Sequence, residues 1–157
     1  MKRQVNRILC VALCLTMLVA AVFHVRGSTQ LVVDNRDPFE QPILIRATCY
    51  TSEEGAITSS GQKVRTGIIA GKKDWEGCVA LLYSYKIQDG EAVPMELIGI
   101  YEVLDTGAGI DTDGDGKGDS IINGQSIDVY MPTSHQVDEF IDTYGDYVMM
   151  MLVEGKG

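Results

Sequence analysis

From residue 43 onward, apolar and polar positions alternate in short runs divided by glycine-rich turns, a pattern that predicts strands. Ile43 to Thr51 is rich in β-forming residues, and Thr66 to Ala70 is a short apolar run closed by Gly71. Cys78 to Tyr85 reads as a strand, and the turn signal Asp89-Gly90 follows it. Leu97 to Leu104 reads as the next, with Ile98, Ile100, Glu102 and Leu104 on one face. Ser126 to Met131 and Tyr147 to Val153 complete the set. Between them, Glu53 to Gly61 is a polar loop ending in Thr58-Ser59-Ser60-Gly61.

One segment changes period. Thr133-Ser134-His135-Gln136 is a capping-box pattern, and Asp138 and Glu139 suit the positive start of a helix. Val137, Phe140, Ile141 and Tyr144 then share one helical face, and Gly145 is a suitable residue to end it. The expected domain is mostly β with one late α-helix, and a small barrel is a natural closure for such strands.

The N-terminus obeys a different rule. Lys2, Arg3 and Arg7 precede an apolar run from Ile8 to Val25, broken only by Thr16 and His24. A positive start followed by an apolar segment is an export signal, and this one is about the ~18 residues at which a spanning helix also becomes feasible. Residues 1–27 are therefore read as a cleaved signal peptide or a helical membrane anchor, with the rest of the chain outside the cytoplasm, secreted or tethered. Residues 28–42, with Pro38 and Pro42 and little periodicity, read as a linker, and residues 43–157 as the domain.

Charge narrows the partners. Residues 1–26 hold four of the 13 basic residues and no acidic one, so the remainder has 13 − 4 = 9 bases against 22 acids. Such a chain excludes nucleic acid as a partner, because that needs a basic surface. It also disfavours electrostatic adhesion to an anionic wall or membrane, so the membrane is met only through the N-terminal segment. Two cysteines remain in the exported part, Cys49 and Cys78. They are either a disulfide or two small buried hydrophobes, and spacing alone does not supply the Cα separation a bridge needs.

The single histidine of this part, His135, lies in the first turn of the helix. One histidine and two distant cysteines do not make a zinc ligand set. The carboxylates are more informative. Asp105 ends a hydrophobic strand, just before Thr106-Gly107-Ala108-Gly109, and Asp128 lies between Ile127 and Val129 in a short strand. An acid in an apolar strand either points outward to water or backbone donors, or is buried with a raised pKa, as a general acid at neutral pH requires.

A second acidic group falls in Asp111 to Asp119. Asp111, Asp113, Asp115 and Asp119 stand at loop positions 1, 3, 5 and 9, with Gly116 at 6 and the Lys117 backbone carbonyl at 7. That is the ligand spacing of an EF-hand-like calcium loop, without its bidentate glutamate because position 12 is Ile122. A weak calcium site suited to millimolar concentrations and a solvated Asp/Gly-rich turn are the two readings.

Five short motifs occur in one order: Ala47-Thr48-Cys49-Tyr50-Thr51, Thr58-Ser59-Ser60-Gly61, Gly67-Ile68-Ile69-Ala70, Leu104-Asp105-Thr106-Gly107 and Ile127-Asp128-Val129-Tyr130. Together, over residues 45–154, they resemble the 3D domain, named for three aspartates, which is similar to the catalytic domain of the membrane-bound lytic transglycosylase A family. The resemblance implies a double-psi β-barrel and cleavage of peptidoglycan glycan strands between N-acetylmuramic acid and N-acetylglucosamine. It implies Asp128 as the catalytic acid/base, Asp105 as its acidic partner, and Thr48, Tyr50 and Ser60 near the groove as sugar-binding residues. A 1,6-anhydro product needs no cofactor. The chain departs from the family where the first aspartate should stand: that position is Lys72. Either Asp74 takes the role, displaced by two residues, or the role is absent. A non-catalytic glycan-binding wall module is the alternative reading.

Overall fold

The computed structural model describes residues 36–53 and 55–155. The expected signal or anchor, residues 1–27, lies outside the described residues, as does the first part of the expected linker. Among the described residues no helix is long and apolar enough to cross a membrane.

The described chain is mostly β. Six strands follow in order: β1 (Ile43–Tyr50), β2 (Ile68–Ala70), β3 (Val79–Gln88), β4 (Glu91–Asp105), β5 (Ser126–Tyr130) and β6 (Tyr147–Val153). One α-helix, α1 (Ser134–Tyr144), lies between β5 and β6. The strands pair into a closed ring in the order β1-β5-β2-β4-β3-β6. Two of the pairings, β1 with β5 and β2 with β4, are parallel. Parallel neighbours cannot be joined by a tight hairpin, so the chain crosses over to make them.

The strand period decides what fills the ring. Ile43, Ile45 and Ala47 of β1, Ile69 of β2, Ala80 and Leu82 of β3, Val103 of β4, Ile127 and Val129 of β5, and Val148, Met150 and Leu152 of β6 form one buried cluster. Within each strand these are alternate residues, so they share the inner face. Trp75 and Phe140 join the same cluster from outside the strands. Phe140 comes from α1, whose start is fixed by Thr133, the side-chain oxygen of which accepts a hydrogen bond from the Gln136 amide at 3.3 Å. The amide of Gly145, at φ 74°, donates to the Ile141 carbonyl and closes the helix. These are the cap residues expected from the sequence.

Two expectations change in detail. The β3–β4 hairpin is longer than its apolar runs, because pairing continues to Gln88↔Glu91 around Asp89 and Gly90, both at positive φ. The face assigned to Ile98, Ile100, Glu102 and Leu104 is also broken. Leu82 pairs with Gly99 but Tyr83 with Leu97, so Ile98 is an extra residue in the ladder. Such a bulge reverses the alternation. Ile98, Tyr101 and Val103 consequently meet the core, while Ile100 is 60% exposed.

The end of the expected linker belongs to the domain. Pro38 is buried, and its carbonyl accepts a hydrogen bond from the Leu152 amide at 2.9 Å. Cys49 and Cys78 are both free thiols. Cys49 lies on β1 and Cys78 just before β3, two strands that are not neighbours in the ring. A bridge needs Cα atoms within roughly 7 Å, less than two strand spacings of about 4.8 Å each. Burial pushes the Cys49 thiol up to about 11, with the Asp128 charge adding to it, so it is a protonated core residue and not a reactive thiolate.

Candidate active site

Residues that pair across a sheet point to the same side of it. Thr48 of β1 pairs with Asp128 of β5, Asp128 pairs with Ala70 of β2, and Ala70 pairs with Asp105 of β4. The inner positions are Ala47, Ile127, Ile69 and Val103, so this row of four lies on the outer face of the ring. The acids are separated by one strand, which puts their Cα atoms roughly 10 Å apart. Ala70 leaves a small side chain between them.

A bulge aims Asp105. Ile69 pairs with Val103, but the next residue, Ala70, pairs with Asp105 and skips Leu104. Without that extra residue Asp105 would point inward with Val103. Bulges beside functional sites commonly re-aim a side chain in this way.

The two carboxylates then meet different surroundings. Asp105 accepts three hydrogen bonds. The Ser59 and Thr106 amides each donate to Oδ1 at 2.9 Å, and the Tyr50 hydroxyl donates to Oδ2 at 3.2 Å. These three bonds fix the orientation of the Asp105 carboxyl. Asp128 has one partner among the described residues, the Thr48 hydroxyl, which donates to Oδ1 at 2.7 Å. Asp128 is part-buried, and desolvation pushes its pKa above the usual carboxylate range, opposed by the Thr48 hydrogen bond and assisted by the charge of Asp105. One acid is held by three donors, and the other is biased toward holding a proton. Tyr50 is pushed well up, first by burial and then by Asp105, so it stays a neutral donor.

The expected sugar-binding residues turn toward this framework. Thr48 and Tyr50 bond the two acids. Ser60 donates to the Leu104 carbonyl at 2.7 Å and lies 2.9 Å from the Thr58 hydroxyl, which ties the 58–62 loop to the bulge of β4. Tyr130, which the sequence did not single out, packs edge-on against Tyr50 with ring centres 5.4 Å apart. Its position two residues after Asp128 on the same strand face was the available signal.

Asp74 is not brought to the site. Its exposed side chain pairs with Lys72 at 2.9 Å. Both line an open cavity of about 340 Å³ with Arg36, Asp37, Phe39 and Trp75. That cavity lies at the Ile43 and Gly124 end of β1 and β5, and the acids are toward the other end. The 3-10 turn Lys73–Trp75 carries Asp74 outward while burying Trp75.

The loop joining β4 to β5 holds the second acidic group. The carboxylates of Asp111, Asp113 and Asp115 come within 4.8 Å of one another, all exposed. Asp111 accepts from the Gly114 and Gly116 amides at 2.6 and 2.8 Å, and these bonds lower its pKa. Asp119 is not part of the group. Its Oδ1 accepts from the Thr112 amide and hydroxyl, and its Oδ2 from Asn123. The Lys117 amide donates to Asp115. His135 is exposed in the first turn of α1 and touches neither acidic group among the described contacts.

No protein-family model, curated protein or solved structure matches the chain.

Proposed function

We propose that residues 43–157 form a double-psi β-barrel that acts outside the cytoplasm as a lytic transglycosylase on peptidoglycan. The observation that carries this is the outer-face row Thr48–Asp128–Ala70–Asp105, with one anchored carboxylate and one part-buried acid of raised pKa. The crossed parallel pairs β1/β5 and β2/β4 support the barrel.

The chemistry follows from one titrating group. Asp128, protonated, gives its proton to the glycosidic oxygen as the bond to the muramic acid C1 breaks. Asp128, now ionised, takes the proton of that sugar's C6 hydroxyl, whose oxygen closes on C1. The proton count balances and no water enters, so the second carboxylate of a hydrolytic glycosidase is not required. Asp105 stabilises the positive charge developing at C1 and raises the proton affinity of Asp128.

A second reading, a wall-associated glycan binder without turnover, rests on one observation. Lys72 stands where the resemblance places an aspartate, and Asp74 points away from the acids. Incubation of the protein with purified peptidoglycan separates the two. Soluble anhydro-muropeptides indicate the transglycosylase, and pelleting without release indicates the binder.

Calcium enters as a stabiliser of the β4–β5 connection. Asp111, Asp113 and Asp115 supply converging oxygen donors, the type that calcium accepts in irregular geometry. The ion would offset repulsion among them. It takes no part in bond breaking.

A further inference from the structure

Asp128 has neighbours of unequal chemistry on its two sides. On the β1 side stands the Thr48 hydroxyl, and on the β2 side stands Ala70, which offers no polar side chain. The Thr48 Oγ1 lies 2.7 Å from Asp128 Oδ1 and 3.2 Å from the Ile127 carbonyl oxygen. It has one proton and two acceptors within reach, and the shorter bond is to the carboxyl. Oδ2 has no hydrogen-bond partner among the described residues.

We propose that Thr48 is a positioning residue that decides which oxygen of Asp128 holds the proton. While Thr48 donates to Oδ1, that oxygen takes the role of the carbonyl, the better acceptor of a carboxylic acid, and the acid proton is favoured on Oδ2, the oxygen without a partner among the described residues. The proton is thereby presented to the groove and not spent on a bond to the protein. After transfer the same Thr48 bond stabilises the carboxylate, which must then act as a base. The Ile127 carbonyl gives the Thr48 proton a second acceptor whenever the acid proton resides on Oδ1, so the idle arrangement is also fully bonded. This inference rests on the glycan-cleaving reading, because only a group that must serve as acid and then as base needs both arrangements.

The other ionisable groups near Asp128 are Asp105 on β4, Cys49 and Tyr50 on β1, and Tyr130 on its own strand. Burial and Asp105 favour the neutral acid, and Thr48 favours the anion. Removing the hydroxyl should therefore raise the Asp128 titration midpoint.

The test uses Thr48→Val, which keeps the branched shape suited to a strand, and Thr48→Ser, which keeps the hydroxyl. Carbon-detected NMR titration of the Asp128 carboxyl in the whole chain is read beside turnover on peptidoglycan. Thr48→Val should raise the midpoint by about one pH unit, the size of one lost hydrogen bond to a carboxylate. It should also lower kcat about tenfold with little change in KM, and Thr48→Ser should restore both. An unchanged midpoint, or full turnover by Thr48→Val, overturns the proposal. A shifted midpoint in a protein whose wild type releases no glycan upholds the Thr48–Asp128 linkage and removes the glycan reading instead.

Discussion

The chain carries two acidic groups a few residues apart, and the fold gives them opposite properties. Asp105 and Asp128 stand on neighbouring ladders of a closed ring, part-buried and each tied to named donors. Asp111, Asp113 and Asp115 stand on an exposed loop and are tied mainly to backbone amides of that loop. Burial pushes Asp128 up, and amide donors pull Asp111 down. A carboxyl becomes a candidate acid when the fold withholds water and most donors from it. It becomes a candidate ligand when the backbone supplies donors and leaves its charge in solvent.

The largest effect expected from breaking this contrast comes from Asp128→Asn. Turnover on glycan should fall by roughly 10²–10⁴-fold, the range for losing a positioned general acid. Stability should be unchanged or higher at neutral pH. The sign follows from linkage: a carboxyl with a raised folded pKa contributes stability below its unfolded value that is lost as pH rises through the folded pKa. The melting temperatures of wild type and Asp128→Asn should therefore diverge toward neutral pH and converge in acid. The reverse trend in a series of thermal melts would show that Asp128 is not desolvated.

A smaller effect is expected at the anchored acid. Asp105→Asn keeps an oxygen for the Ser59 and Thr106 amides and removes the charge. Turnover should drop about tenfold, worth about 1.4 kcal/mol. The alkaline limb of its pH profile, where the general acid loses its proton, should move to lower pH, because the Asp105 charge is one of the causes raising Asp128. A limb that stays in place would mean that the two carboxyls are not coupled.

The smallest concerns the exposed group. If calcium binds with Kd about 1 mM, then about 10 mM adds roughly 1.4 kcal/mol to stability, several degrees in Tm. Magnesium should do less, because it resists an irregular oxygen cage. Calorimetric titration checks this directly. Equal heats from wild type and an Asp111→Ala/Asp113→Ala variant would leave the loop a solvated turn.

The sequence made the inner face of the ring legible, because alternate residues such as Ile43, Ile45 and Ala47 need only the strand period to be assigned. The helix was legible for the same reason, with Thr133 and Gly145 as its marked ends. The bulges were not. One extra residue at Leu104 turns Asp105 outward, and another at Ile98 reverses the face of β4. A bulge depends on what the partner strand offers, and no local pattern records that. Thr48, Tyr50 and Ser60 were found as a group from motif order, but their roles as supports of the acids and of the loop come from pairing across roughly 45 to 80 residues of chain. The placement of Asp74 beside Lys72 was hidden too, since the turn that follows β2 carries both side chains to the cavity at the Ile43 end and away from the acids.

The central claim is that one acid, Asp128, cleaves the glycan without admitting water. Digestion of purified peptidoglycan in water enriched in heavy oxygen, followed by mass spectrometry of the soluble products, tests it most directly. The account predicts anhydro-muropeptides carrying no heavy oxygen from the wild-type protein, and none released by Asp128→Asn. Products with reducing ends and heavy oxygen at C1, or release that persists in Asp128→Asn, would contradict it.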